Sequence, residues 1–223
     1  MVYRIYVEKK PGFDVEANGL KNELTGLLGI RSLTGLRLLN RRGCFPQFDK
    51  FIEQTKDVWT HLVDIRKSFE PRAEELAKKY ALAPYTMFIG SGALWGETIL
   101  FSMCILEEMQ WKRTRYITSA DFFHGTLELV EPGVPVFLFM GEDENRKLDE
   151  RVRAFLTRGV TGDTDINIID TAEFAIPGLD DEFRVIVSPW ILTVLVTDRL
   201  ARYYETVTKH NLKYRRYYHQ FDY

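Results

Sequence analysis

Short apolar runs alternate with longer amphipathic stretches along the second part of the chain. The apolar runs predict strands at 85–89, 115–118, 135–140 and 165–170. The stretches between and after them predict helices at 91–110, 124–130, 146–158 and 188–207, the last of which begins at Ser188-Pro189. Strands that alternate with helices form parallel β-α-β units with right-handed crossovers. The pattern therefore predicts an α/β fold, a three-layer α/β/α sandwich with a parallel, flavodoxin-like sheet.

The segment before the first of these strands predicts two helices. Residues 48–68 carry apolar side chains at helical spacing. Those expected to face inward are Phe51, Val58, Leu62 and Ile65. Because proline is tolerated in the first turn of a helix and disfavoured in its interior, Pro71 predicts the start of a new helix that runs to about Lys79.

The first 40 residues predict a small unit of their own. Residues 2–8 alternate in the manner of a half-buried strand, residues 14–28 form an amphipathic helix, and residues 35–39 form a second strand. This is one β-α-β unit, which corresponds to half of a split β-α-β-β-α-β fold. One such half cannot bury both faces of its sheet.

Composition narrows the function classes. The 223 residues carry a net charge of −2, with 45% apolar and 28% charged residues, as is ordinary for a globular protein. This balance gives no electrostatic reason to expect nucleic acid or an anionic membrane as a partner. Cys44 and Cys104 show no metal-ligand or disulfide spacing, and Cys104 is expected to be a buried free thiol. With no signal-like start and no apolar run long enough for a bilayer, a cytoplasmic location is expected.

Gly90-Ser91-Gly92-Ala93 follows a predicted strand and opens a predicted helix. The backbone N–H groups at such a helix start can hold an anion, which makes Ser91 and Gly92 candidate substrate-binding residues. The alternative is that small residues only permit a tight turn. By comparison, Gly141-Glu142-Asp143-Glu144, after a later strand, is expected to be a solvated loop.

Glu108 lies near the end of its predicted helix, where the helix dipole disfavours a carboxylate. Its apolar neighbours Phe101, Ile105 and Met109 distinguish it from an ordinary surface glutamate. Glu107 is the competing candidate and is expected to face solvent. If Glu108 is not a surface residue, a carboxylate in this place suits proton transfer.

His124 follows the strand after Glu108, within Asp121-Phe122-Phe123-His124-Gly125. An imidazole is suited to proton transfer near neutral pH, and the alternative is a polar residue at a helix start. The intervening strand of about five residues separates its two ends by roughly 15 Å. Glu108 and His124 of one chain are therefore expected at opposite edges of the sheet, and can share a substrate only if one comes from a neighbouring subunit.

The C-terminal tail is aromatic and basic from Lys209 onward. Arg215 and Arg216 are candidates to meet a phosphate or a carboxylate of a substrate. The alternative is that the tail packs Tyr217 and Tyr218 against the sheet. Binding of nucleic acid is not favoured.

These residues together resemble a known family. From about residue 70 to the end, the chain resembles the second half of a sugar isomerase (SIS) protein, and most closely the fructosamine-6-phosphate deglycases. The string Phe-Phe-His-Gly-Thr-Leu-Glu at 122–128 carries much of this resemblance, and Glu108 and His124 match the family's acid–base pair. The resemblance implies a site at a dimer interface, with the histidine supplied by the partner. No Ser-x-Ser-Gly-x-Thr type segment is present, which suggests that the first SIS half is missing.

Residues 1–40 resemble the start of phosphoribosylformylglycinamidine synthase, but the pattern breaks at Arg41-Arg42-Gly43 and none of that enzyme's motifs follow. Its activity is therefore not carried over. The predicted organisation is a fused β-α-β fragment at 1–46 and an SIS domain at 47–223.

The resemblance implies a substrate and a reaction. The substrate is a phosphorylated sugar-amine of the fructoselysine 6-phosphate type, hydrolysed to glucose 6-phosphate and free amine by Glu108 as base and His124 as acid, without a metal or organic cofactor. Three alternatives stay open. They are an aldose–ketose or aminosugar phosphate isomerase, a non-catalytic sugar-phosphate-binding module, and a truncated remnant.

Overall fold

The computed structural model describes residues 30–159 and 161–222. The chain divides into two units, with the boundary between residues 50 and 51. No helix in the described part is both long and apolar enough to cross a membrane.

The described part of the first unit contains helix α1, Ile30–Arg41. The strand expected at 35–39 is therefore wrong, because these residues lie within the helix. Leucine and arginine are good helix formers, and strand propensity depends on a partner strand that a lone segment lacks. The strand and helix expected at 2–8 and 14–28 lie outside the described residues.

Helices α2, Phe48–Thr55, and α3, Val58–Tyr80, precede the sheet. The four side chains expected to face inward, Phe51, Val58, Leu62 and Ile65, are all buried. The expected restart at Pro71 is wrong, because α3 continues through this proline. The helical segments are instead separated at residues 56–57, where the chain makes a turn.

The second unit is built on a four-stranded sheet, and this confirms the predicted α/β class. The strands are β1 (Tyr85–Gly90), β2 (Arg113–Ile117), β3 (Val136–Met140) and β4 (Ile166–Asp170). Their order is β2-β1-β3-β4, and all neighbours are parallel. Because the strands are parallel, their carboxyl ends meet at one edge of the sheet and their amino ends at the other.

Three long helical segments complete the unit. Helix α4 follows a 3₁₀ turn, Gly92–Leu94; it comprises Trp95–Ile99 and continues as the π-helical Leu100–Met109. Helix α5 is Arg146–Leu156. Helix α6 comprises Asp181–Leu192, the π-helical Thr193–Leu200 and Ala201–Thr208. Shorter 3₁₀ turns at Thr126–Leu129 and Thr171–Glu173 follow β2 and β4.

The last helix begins seven residues before the predicted start, so Pro189 lies inside it. Proline has no N–H to donate to the carbonyl of Val185, four residues earlier. The hydroxyl of Ser188 donates to that carbonyl oxygen instead, at 3.3 Å. This substitute hydrogen bond explains how α6 passes through a proline that the sequence pattern marks as a helix start.

The core lies on both faces of the sheet, as expected for three layers. β3 is wholly buried. On one face Phe88 stacks on Phe137 and Phe139, with ring centroids 5.2 and 6.0 Å apart. On the other face a cluster includes Met87, Ile89, Phe122, Val136, Leu138, Met140, Val152 and Leu156.

Glu97 is a partly buried acidic residue of the second unit. It lies on α4, and its Oε2 atom has no hydrogen-bond partner among the described residues. Burial raises the pKa of its carboxyl to about 7, while a hydrogen bond with Thr193 acts in the opposite direction. Since the folded-state pKa exceeds the usual value, the folded state binds this proton more tightly than the unfolded chain does.

We expect Glu97→Gln to remove a pH-dependent destabilisation. The protonated carboxyl is stabilising below the unfolded pKa of about 4.5, and this contribution is lost as pH rises through about 7. The free energy of unfolding of the wild type should therefore fall by about 1–3 kcal/mol more than that of the variant between pH 5 and pH 8. Urea titrations at both pH values measure this difference. The exposed Glu75→Gln should keep the wild-type dependence, and a Glu97→Gln protein that also keeps it would contradict the assignment.

Candidate active site

Glu108 lies at the end of α4 and lines a cavity of about 460 Å³. The residues around this cavity are Glu107, Glu108, Trp111, Lys112, Arg113, Arg215, Arg216, Tyr217 and Tyr218. The cavity is thus formed by the end of α4, the start of β2 and the C-terminal tail. It lies at the amino edge of the sheet, because β2 begins at Arg113.

Arg215 contacts the carboxylate of Glu108. Its Nε atom lies 2.7 Å from Oε1 of Glu108, and the two side chains are 18% and 32% exposed. The contact is an ion pair and not an aligned hydrogen bond, since Nε has no hydrogen-bond partner by angle. The Nη1 atom of Arg215 donates to the carbonyl oxygens of Leu212 and Tyr214, each at 2.8 Å. Arg215 therefore meets a carboxylate, as its type suggests, but the carboxylate belongs to the protein.

Glu107 also lines the cavity and does not simply face solvent as expected. Its Oε1 atom accepts a hydrogen bond from the hydroxyl of Thr114 at 2.6 Å. The hydroxyl of Ser102 donates to Thr114 in turn, at 2.7 Å. Two neighbouring carboxylates thus project into one cavity, each with a different partner.

Cys104 lies one helical turn before Glu108 and is partly exposed, so it is less buried than expected. Burial raises the pKa of its thiol, and the negative charges of Glu108 and Glu107 raise it further. A thiol of raised pKa is a poor nucleophile at neutral pH. Cys104 is therefore not favoured as a nucleophile beside this cavity.

The tail is clamped to the end of α4 by Gln110, which is buried. The Nε2 atom of Gln110 donates to the carbonyl oxygen of His210 at 2.6 Å, and its Oε1 atom accepts from the hydroxyl of Thr208 at 2.8 Å. The ring of His210 packs edge-on against Trp111, with centroids 4.4 Å apart. The residues that follow Glu108 in sequence therefore hold the tail that covers it.

The rest of the tail lines the open side of the cavity. The guanidinium of Arg216 lies over the ring of Trp111 at 4.3 Å. Tyr217 and Tyr218 are 66% and 47% exposed. The alternative in which both tyrosines pack against the sheet is therefore wrong.

His124 lies at the opposite edge, after the carboxyl end of β2. Its turn is anchored by the buried Phe122, while the imidazole itself is 80% exposed. The Nδ1 atom lies 3.9 Å from Oδ1 of Asp121, which is also largely exposed. His124 does not line the cavity around Glu108. This agrees with the expectation that the two residues of one chain lie at opposite ends of β2.

Ser91 is also at the carboxyl edge and is buried. Its hydroxyl oxygen accepts a hydrogen bond from the backbone N–H of Ser119 at 2.7 Å, which links the loops after β1 and β2. Ser91 and Gly92 do not line the cavity around Glu108. The structure therefore brings Arg215 and Arg216 to Glu108, and leaves Ser91, Gly92 and His124 at the other edge.

The anion-binding position at Gly92 is filled by the protein. The Oδ2 atom of Asp143 accepts from the backbone N–H of Ala93 at 2.5 Å. Gly92 adopts a φ of +55°, and a Cβ built there would lie 2.0 Å from the same oxygen. Because this carboxylate already uses the helix start, the expectation that Ser91 and Gly92 hold a substrate anion finds no support in the geometry.

A second carboxylate at this edge of the sheet belongs to Asp149, which is buried. Its Oδ1 atom accepts from the hydroxyl of Ser119 at 2.5 Å, and its Oδ2 atom from the N–H of Gly141 at 3.2 Å. Burial raises the pKa of this carboxyl to about 6, although the two hydrogen bonds lower it. Asp149 thus joins the ends of β2 and β3.

The loop after β3 is not the solvated loop that its composition suggests. Arg184 on α6 binds Glu142 through Nε and, at 2.9 Å, through Nη2. Both side chains are largely buried. Beside them, Arg146 makes two hydrogen bonds with the carboxylate of Asp170, at 2.9 and 2.6 Å, and this guanidinium lowers the pKa of that carboxyl.

Sequence reasoning missed two groups of residues. The first is the carboxylate layer of Asp143 and Asp149, which the convergence of parallel strand ends at one edge would have indicated. The second is the clamp of Gln110, Thr208 and His210, for which the sequence holds no signal, because its partners are about 100 residues apart. Within residues 30–159 and 161–222, no three His, Cys, Asp or Glu side chains cluster as metal ligands would.

Comparison with known proteins supports the resemblance. The chain is 28% identical over 185 residues to the fructosamine deglycase FrlB of Bacillus subtilis, which covers 82% of this chain and 53% of the relative. It is 29% identical over 186 residues to a fructoselysine 6-phosphate deglycase of Escherichia coli, covering 82% and 51%. The predicted similarity to deglycases is confirmed.

A solved structure gives the same result for the fold. A candidate phosphosugar isomerase from Salmonella typhimurium matches with a TM-score of 0.77 and 26% identity, over 84% of this chain and 57% of that one. The sugar isomerase fold expected for the second unit is thereby confirmed. No protein-family model matches the chain. The chain spans about half the length of the curated relatives that it matches.

The tight approach at Gly92 predicts a pair of contrasting substitutions. Gly92→Ala places a side chain at positive φ and against Asp143, so we expect a loss of about 2–4 kcal/mol in the free energy of unfolding. Gly96→Ala is the control. It lies four residues later in α4 with nothing within 4 Å of a Cβ, and should be neutral or stabilising by up to about 1 kcal/mol. Chemical denaturation of the two variants measures both values, and equal effects would contradict the close approach of Asp143 to Gly92.

Proposed function

We propose that this protein processes a phosphorylated sugar-amine, hydrolysing 6-phosphofructosamines to glucose 6-phosphate and a free amine. The observation that carries the proposal is Glu108. It is half-buried in a cavity lined by cations and aromatic rings, in a chain similar to two deglycases. The substrate class of the proposal is the one for which those two relatives are named.

Glu108 is proposed as the general base. It removes a proton from C1 of the open-chain sugar and, by way of an enaminol, returns one to C2. The product is an imine at C1, which water hydrolyses to the aldehyde and the amine. Each proton-transfer group of this kind contributes about 10²–10⁴-fold in rate. The steps need only groups of the protein, the substrate and water.

His124 is proposed as the general acid, supplied by the partner in a homodimer. An imidazole that is 80% exposed in one chain is available to a neighbour. Glu108 and His124 lie at opposite ends of β2, so a single chain does not bring them together. A two-fold dimer in which each chain gives its histidine to the other's cavity would complete two equal sites.

The substrate phosphate is proposed to bind at the open side of the cavity. Arg215 is paired with Glu108, whereas Arg216 is exposed and contacts only the face of Trp111 among the described residues. Arg216 is therefore the better candidate for the phosphate. Ser91 and Gly92 have partners within their own chain and are not assigned to substrate here.

A phosphosugar isomerase is the second candidate function. The solved structure from Salmonella typhimurium carries that description, and the same base would shuttle a proton between C1 and C2 in an isomerase. Release of free amine separates the two reactions, because an isomerase conserves every bond to nitrogen.

We expect glucose 6-phosphate release from fructoselysine 6-phosphate, and Glu108→Gln to lower kcat by about 10²–10⁴-fold. A coupled dehydrogenase assay measures the sugar phosphate, and an amine assay measures lysine. Glu107→Gln is the matched comparison, since it changes the neighbouring carboxylate of the same cavity and should lose less. A deeper loss in Glu107→Gln would exchange their roles, and absence of both products would refute the hydrolase.

Mixing two inactive variants tests the shared site. Glu108→Gln and His124→Asn should each be inactive alone. After unfolding and refolding at equal amounts, about half of the dimers are mixed, and each mixed dimer has one site with both native residues. About a quarter of wild-type activity should return. No recovery, or a monomer by light scattering at micromolar concentration, would refute the shared site.

A further inference from the structure

The C-terminal tail supplies Glu108 with its cation. Residues 209–218 return from the end of α6 to the end of α4 and place the guanidinium of Arg215 against the carboxylate. We propose that Arg215 is a positioning residue, which the tail delivers to hold the carboxylate of Glu108 correctly aimed in the cavity. This inference rests on the proposed function, because it assigns Glu108 a partner for its work as a base.

The position of Glu108 explains why it needs a cation. Its carboxylate lies in the last turn of a helix, where the partial negative charge of the unpaired carbonyls is repulsive. Glu107 adds a second carboxylate beside it, on the same cavity. Arg215 is the cation in direct contact, with its Nε atom 2.7 Å away. This contact offsets the repulsion of the Glu108 carboxylate by the helix carbonyls and by Glu107.

The tail holds Arg215 in a fixed geometry before any substrate arrives. Lys209 adopts a left-handed conformation, with a φ of +56°, and so turns the chain back at the end of α6. The clamp of Gln110 on His210 and Thr208 then fastens the start of the tail. The carbonyls of Leu212 and Tyr214 orient the guanidinium itself. This preorganisation matters because a catalytic group that is misplaced by 1 Å can lower the reaction rate by about 10²-fold.

The competing role for Arg215 is direct binding of a substrate anion. The geometry favours positioning, because the guanidinium is only 18% exposed and already contacts a carboxylate and two carbonyls. The two roles differ in kinetics. A residue that binds the ground state changes KM, and one that aims the base changes kcat.

The first test is steady-state kinetics on the full chain with fructoselysine 6-phosphate. Arg215→Gln should lower kcat by about 10- to 100-fold and change KM by less than about threefold. Arg215→Lys should recover part of kcat, because it keeps the charge but not the guanidinium contacts. Lys213→Gln removes one positive charge from the exposed tail outside the cavity, and should behave as the wild type. An unchanged kcat with a raised KM, or an equal loss in Lys213→Gln, would overturn the proposal.

The second test needs no activity and so separates this inference from the proposed function. Hydrogen exchange of the amides in residues 209–218 reports whether Glu108 and Arg215 hold the tail together. Exchange should rise about threefold to tenfold in Arg215→Gln and in Glu108→Gln, with no further rise in the double variant. Additive rises, or no rise in either single variant, would overturn the pairing. Coupled exchange in an inactive wild type would refute the deglycase and leave the pairing intact.

Discussion

Four parallel strands end at one edge of the sheet, and the protein must satisfy the polar loops that meet there. It does so with its own carboxylates. Asp143 caps the N–H of Ala93 after β1, and Asp149 joins Ser119 and Gly141 after β2 and β3. In open α/β sheets the crevice where strand order reverses, here between β1 and β3, is the common ligand site. In this chain the carboxylates of Asp143 and Asp149 already use hydrogen-bond donors at that place, and the proposed binding site is the cavity at the other edge.

The cavity at the other edge depends on contacts between segments far apart in sequence. Its floor is the end of α4 and the start of β2, and its open wall is the tail. Gln110 is buried and uses both ends of its amide, so the tail cannot leave without two unpaired polar groups. Gln110, two positions after Glu108, therefore helps to hold the tail in place as the wall of the cavity.

The sequence predicts what is set by local pattern and misses what is set by distant contact. The four strands and the separation of Glu108 from His124 follow from periodicity along the chain. The strand expected at 35–39 is wrong because an isolated apolar run fits a helix equally well. Two predicted helix starts at prolines are wrong. Helix α3 continues through Pro71. Helix α6 continues through Pro189, where the hydroxyl of Ser188 donates the hydrogen bond that proline cannot. The ion pair of Arg215 with Glu108 joins positions that are 107 residues apart. The residue types alone predicted only that Arg215 could bind a phosphate or a carboxylate.

The proposed reaction calls for a base and an acid at one site. In one chain the proposed base, Glu108, lies with its cation at one edge of the sheet, and the proposed acid, the exposed imidazole of His124, lies at the other. In the proposed homodimer a second copy would supply the histidine, because two-fold symmetry places each exposed His124 at an equivalent position on the other chain. The carboxylate layer of Asp143 and Asp149 ties together the loops at the carboxyl edge, from which the turn of His124 projects. In that dimer, the contacts at the carboxyl edge of one chain would hold the histidine that the proposed reaction uses in the cavity of the neighbouring chain.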